Sequence, residues 1–144
     1  MSRAAANERE RQVAERRADD AAASEALTRR IAAIVDEKLG EEIVVLDMRE
    51  LVGYTDFLVL ATARNERLAK AIHDEVYARL KKEDGVLPNR VEGLAEARWV
   101  LLDYLDCVLH LFVPDARSHY RLEQLWGEAP RLELDSGDGA HQPR

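Results

Sequence analysis

The stretch Trp99-Val100-Leu101-Leu102-Asp103-Tyr104-Leu105-Asp106-Cys107-Val108-Leu109-His110-Leu111-Phe112-Val113-Pro114 decides the fold. Two apolar runs flank a short polar interruption, which predicts a β-hairpin. The proline then opens a helix that closes at Trp126. With the turn placed at Tyr104-Leu105, Leu102 opposes Cys107, Leu101 opposes Val108 and Trp99 opposes His110. Alternation across the pleat puts Trp99, Leu101, Val108, His110 and Phe112 on one face, and Val100, Leu102, Cys107, Leu109 and Leu111 on the other. The second face is purely aliphatic and belongs to the core. The first mixes aromatic bulk with polar tips and needs a cover, either the chain's own helices or another protein. The turn is unfavourable as drawn. Tyr104 and Leu105 do not suit the positive φ of two-residue hairpin loops, and Asp103 would face Asp106. A wider loop, or a cation beside one carboxylate, would relieve both problems.

Upstream, Ser24 followed by Leu27, Ile31, Ile34 and Val35 reads as a capped amphipathic helix ending before Gly40. Ile43 to Leu46 is a short strand. Asp56 to Thr62 is another, apolar at successive positions and so buried on both faces, with Gly53-Tyr54-Thr55 as the loop before it. Glu66 to Lys82 is the clearest helix: Leu68, Ile72, Val76 and Leu80 recur every four residues, Ala69 and Tyr77 widen the stripe, and Asp84-Gly85 stops it. Val86 to Gly93 contains Pro88 and reads as a loop or short edge strand.

The 144 residues suit one domain with tails. Residues 1–24 hold five Arg against five Glu or Asp and no apolar stripe, so they are expected to form a charged, disordered extension. Residues 25–127 form the domain, and 128–144 a flexible C-terminal tail. The formal net charge of −7 argues against a broad phosphate-binding surface and favours a basic protein partner. Cys107 is the single cysteine, which fits a reducing cytoplasm and a small buried strand residue. No apolar run approaches the roughly 18 residues of a membrane span, and the charged N-terminus does not resemble a signal peptide.

Asp47, Asp56, Asp103 and Asp106 invite a metal-dependent hypothesis, but two-metal nucleotidyl transfer commonly shows a Gly-Ser pair leading to Asp-x-Asp, and neither occurs here. His73, His110, His119 and His141 have no zinc-ligand spacing with each other or with Cys107. The expectation is no catalytic residue, no metal and no cofactor.

A resemblance runs from Leu27 to Trp126. Its elements are Val45-Leu46-Asp47, Thr55-Asp56-Phe57 with Ala61-Thr62, Glu66-Arg67, Val91-Glu92-Gly93 and Trp99-Val100-Leu101-Leu102-Asp103-Tyr104. Then come Asp106, Val108, His110 and Phe112, and finally Arg117, Tyr120, Leu122, Glu123, Leu125 and Trp126. No single match is specific, but their order and spacing are similar to the bacterial ribosomal silencing factors, the RsfS or Iojap family. The resemblance implies an α/β fold with a mixed sheet of about five strands flanked by helices, nucleotidyltransferase-like without catalytic residues. It implies binding to ribosomal protein L-fourteen on the large subunit, a steric block of small-subunit joining, repression of translation under nutrient limitation, and a homodimer off the ribosome. Under it, Trp99 is the apolar anchor of the docking surface, with Leu101 and His110 beside it and Asp103 and Tyr104 at its end. Asp103 or Glu92 serves as carboxylate partner, and Arg117 and Tyr120 add contacts from the last helix. The chain departs from the family at Leu105, where the turn usually has Gly, and at Ala63-Arg64-Asn65, where the family has Gly-Asn-Ser. Two alternatives stand beside this reading: a large-subunit assembly factor using the same surface, and a nucleotidyltransferase using Asp47 and Asp56.

Overall fold

In the computed structural model the hairpin closes on a loop wider than two residues. Strand β4 (Trp99–Asp103) pairs antiparallel with β5 (Cys107–Phe112), setting Trp99 opposite Phe112, Leu101 opposite His110 and Asp103 opposite Val108. This corrects the expected register by two residues. Because the shift is even, every side chain keeps its expected face. The cause is local. Leu105 takes a left-handed backbone, φ +72°, and the Asp103 carboxylate accepts its N–H at 2.8 Å. The Tyr104 N–H reaches the Cys107 carbonyl at 2.9 Å. Asp103 therefore no longer faces Asp106, and the cation beside it is Arg90, whose Nε lies 3.3 Å from Oδ2.

The structure describes residues 3–51, 55–120, 127 and 129–134. Among them the remaining elements are α1 (Arg3–Glu37), β1 (Glu41–Asp47), β2 (Phe57–Thr62), α2 (Glu66–Arg79), β3 (Arg90–Glu92) and α3 (Pro114–Tyr120). The sheet order is β1-β2-β5-β4-β3, with β2 and β5 parallel and the other neighbours antiparallel. Every position of β2 and β5 is buried, as their unbroken apolar runs require. One face packs under α1 and α2, where Ile31, Ile34, Val35, Ile72, Val76 and Leu80 meet Phe57, Val59, Val100, Leu102, Leu109 and Leu111. On the other face Leu46, Leu58, Leu60, Val108 and Phe112 meet Val113, Ala116 and Ala129. The predicted Trp126 closure of the last helix, with Leu122, Glu123 and Leu125, lies outside the described residues, as does Tyr54.

Two boundaries differ from expectation. Helix α1 begins at Arg3, not Ser24. Ser24 is buried inside it and donates its hydroxyl to Asp56 Oδ2 at 2.9 Å instead of capping. Once the turns bearing Leu27 to Val35 are docked, the Ala, Arg and Glu residues upstream propagate the helix at little cost, although they bury almost nothing. At the other end, Leu39 rather than a glycine takes the left-handed position, φ +70°, and Gly40 N–H returns to the Val35 carbonyl at 2.8 Å, a Schellman closure. Residues 129–134, expected in a flexible tail, lie along β1. Helix α2 starts at Glu66 as expected, and Gly85 at φ +68° ends the π turn Leu80–Asp84 that follows it; Asn65 Oδ1, not singled out in the sequence, caps the start by accepting the Leu68 N–H.

Gly93 fixes the approach of the β3–β4 loop to β4. Its φ is +79°, and a Cβ there would lie 2.0 Å from the Trp99 carbonyl oxygen. Backbone against backbone cannot yield cheaply. Gly93→Ala is expected to lower the unfolding free energy by more than about 2 kcal/mol in urea titration. Leu105→Gly, at a left-handed and 61% exposed position, is expected to raise it by about 0.5–1 kcal/mol.

Candidate docking face

Three rows of side chains cross the sheet on the face away from α1 and α2. The first runs Arg90, Asp103, Val108, Leu58, Leu46 from β3 to β1. The second runs Glu92, Leu101, His110, Leu60, Val44, and the third begins with Trp99, Phe112 and Thr62. Glu92, Trp99, Leu101, Asp103 and His110 thus share one face, as the alternation required. Burial falls along the second row from Leu60 and His110, both buried, through half-buried Leu101 to exposed Glu92. Trp99 is likewise half-buried. Among the described residues, α3 and Ala129 pack on this face with Leu46, Leu58, Leu60, Val108 and Phe112.

An aromatic group holds the indole. Trp99 stacks on Phe112 at 5.2 Å between ring centroids, and His110 stacks on Phe112 at 6.0 Å. Trp99 Nε1–H donates to His110 Nδ1 at 2.9 Å. Trp99 and His110 sit diagonally across the two strands, within reach for rings of this size. His110 is 4% exposed, so it supports the anchor from beneath rather than meeting a partner itself. Burial pulls its pKa down to about 4, against a smaller opposing pull from Asp103. In the neutral ring the indole donor selects the tautomer with the proton on Nε2, leaving Nδ1 as acceptor.

Two other expected contacts are corrected. Tyr104 points to the opposite core, 6% exposed, because alternation continued one residue past Asp103 sends it with Leu102. Its hydroxyl is buried without a hydrogen-bond partner among the described residues, and burial raises its pKa. Arg117 is 9% exposed and turns inward, donating from Nη1 to the Glu42 carbonyl at 2.7 Å and to Thr62 Oγ1 at 2.9 Å. It fastens α3 to the β1–β2 side, a structural duty. Tyr120 is the last residue of α3, and its side chain is outside the described set.

Arg90 joins the face without having been singled out. It lies 2.8 Å from Glu92 and 3.3 Å from Asp103, ordering two carboxylates at the β3 end of the face. Its signal in the sequence is alternation with Glu92 in the run read as a loop or short edge strand, which the structure shows as edge strand β3. Of the acids considered for metal binding, Asp47 takes Arg49 at 2.9 and 2.7 Å, and that hydrogen bonding holds its carboxyl below the usual range. Asp56 accepts from Ser24. Among the described residues no group of three or more His, Cys, Asp or Glu side chains could hold a metal ion. Cys107 is fully buried, and burial pushes its thiol up to about 12.

His110 makes stability depend on pH. Its folded pKa of about 4 lies below the ordinary 6.5, so the unfolded chain binds the proton first. Its contribution is complete above about pH 6.5 and is lost as pH falls toward 4, by at most about 3 kcal/mol. Urea midpoints between pH 7.5 and 4.5 are expected to fall less steeply in His110→Phe than in the native chain. The imidazole resonances should stay neutral through pH 5.

The match to known proteins is extensive. The family described as ribosomal silencing factor during starvation matches residues 21–144. A ribosomal silencing factor RsfS of Halalkalibacterium halodurans is 40% identical over 101 residues, 70% of this chain and 86% of that protein. The mouse protein named mitochondrial assembly of ribosomal large subunit protein 1 is 28% identical over 100 residues, 67% of this chain and 43% of its own. A crystal structure of a Chromobacterium violaceum protein superimposes with a TM-score of 0.68 at 31% identity, covering 72% of this chain and 85% of the other. Among the described residues no helix is long and apolar enough to cross a membrane. The mixed five-stranded α/β architecture and the sequence agree with each other, and the chain belongs to the ribosomal silencing factor family.

Proposed function

We propose that this protein binds ribosomal protein L-fourteen on the large ribosomal subunit and, by occupying that surface, blocks joining of the small subunit. The observation that carries the reading is the partial exposure of two large apolar side chains, Trp99 and Leu101, on one sheet face. Half-buried Trp99 and Leu101, rimmed by exposed Glu92 and Arg90 with buried Asp103 behind Arg90, form an apolar centre with a charged border. That is the anatomy of a protein-binding patch. The net charge of −7 suits a basic ribosomal protein more than bare RNA. No bond is made or broken. A ligand that binds the free subunit but not the joined ribosome shifts the joining equilibrium by mass action, and translation falls as occupancy rises. The acting unit is the folded domain, including residues 129–134 along β1, in the cytoplasm where ribosomes are. Off the ribosome a second copy closes the same face.

A second reading, assembly of the large subunit, draws on the name of the mouse relative. It uses the same surface but predicts accumulation of precursor particles with joining unaffected.

Leu101→Arg combined with Glu92→Arg tests the surface without touching the Trp99–His110 bond. Co-sedimentation with isolated large subunits is expected to weaken at least about tenfold, with subunit joining restored and thermal stability nearly unchanged. Undiminished co-sedimentation of the double variant would remove this face from consideration.

A further inference from the structure

Both outer strands of a sheet offer unpaired backbone groups to any passing strand. Here β3 is only three residues long and carries Arg90 and Glu92, which blunts that side. Strand β1 is longer, and Val44-Val45-Leu46 would make an apolar template. Its edge is closed in two ways. Near Glu41 the register slips in a bulge, Glu42 adopts φ +49°, and Arg117 takes the Glu42 carbonyl. Over the remainder, residues 130–132 run alongside. Asp47 N–H donates to the Pro130 carbonyl at 2.7 Å, Leu132 N–H donates to the Val45 carbonyl at 2.8 Å, and Leu46 faces Arg131 in antiparallel register.

The segment is fastened on both sides of the sheet. Ala129 is buried with Leu46, Leu58 and Val113, while Leu132 and Leu134 pack against the core beneath α1 and α2. Arg29 of α1 donates to the Glu133 carbonyl at 3.0 Å. We infer that residues 129–134 act as a strap that occupies the hydrogen-bonding edge of β1 and keeps it from pairing with a second copy of this chain. Two backbone bonds and three modest apolar contacts form a unit that can open without global unfolding. Opening exposes Val44 to Asp47 and replaces an intramolecular partner by an intermolecular one. The strap lies at the far side of the sheet from Leu101 and Glu92, so it is separable from ribosome binding.

The test is hydrogen exchange on the full chain, read by NMR at the Asp47 and Leu132 amides and, as an internal standard, at Leu109. In the native protein both strap amides are expected to be protected. Leu132→Pro removes the N–H that reaches Val45. Asp47 should then exchange at least about tenfold faster while Leu109 is unchanged. Sedimentation velocity should show self-association rising with concentration beyond that of the native chain. Unprotected Asp47 in the native protein overturns the inference, and needs no variant. So does unchanged Asp47 exchange in Leu132→Pro, or faster exchange with no added self-association. Leu132→Ser, which keeps the N–H and loses the apolar contact, serves if the proline variant does not fold, and the same outcomes decide.

Discussion

The parallel pairing of β2 with β5 is the constraint from which the rest follows. A parallel pair needs a crossover, supplied here by α2 and the β3–β4 ribbon, and it leaves the two central strands apolar on both faces. Two covers are then obligatory. Helices α1 and α2 provide one in full. Among the described residues the other is supplied by α3 and Ala129. On that face Trp99 and Leu101 are half-buried.

Arg117 ties α3 to the β1 and β2 side of the sheet through the Glu42 carbonyl and Thr62 Oγ1. A buried guanidinium is costly unless its donors are used, and here they stabilise the bulge of β1 as well. The half-buried side chains are not loose. Trp99 is held by the Phe112 ring and by neutral His110, and the border carboxylates are held by Arg90. A partner meeting this surface would find the indole already oriented, which reduces the ordering cost of association.

Much of this was legible in the chain. Strand faces, the α2 stripe and the Asn65 and Gly85 boundaries follow from periodicity and local turn chemistry. What the sequence hides is any choice made by distant acceptors. Ser24 looks like a cap because a serine before an apolar run usually is one, but its acceptor is Asp56, 32 residues away. Arg117 looks like a surface cation because its two acceptors lie 75 and 55 residues upstream. The hairpin register was misplaced for the opposite reason. The decisive contact, Asp103 carboxylate to Leu105 N–H, is very local, yet it works only with a left-handed leucine that propensity disfavours. Tyr104 could have been placed from alternation alone.

The same contacts bear on what the protein does. Group transfer by metal ions asks carboxylates to converge with their oxygens turned toward a common centre. In this fold three of the four prominent acids are engaged elsewhere: Asp47 by Arg49, Asp56 by Ser24, and Asp103 by Arg90 and the Leu105 amide. They hold loops and strand ends in place. Under the proposed reading that is what the chemistry demands, because obstruction requires a rigid surface with differential affinity and nothing more. The free energy of blocking comes from binding one state of the large subunit and not the other. The residues that matter most are then those that keep Trp99 and Leu101 presented: His110 and Phe112 beneath them and Gly93 behind them.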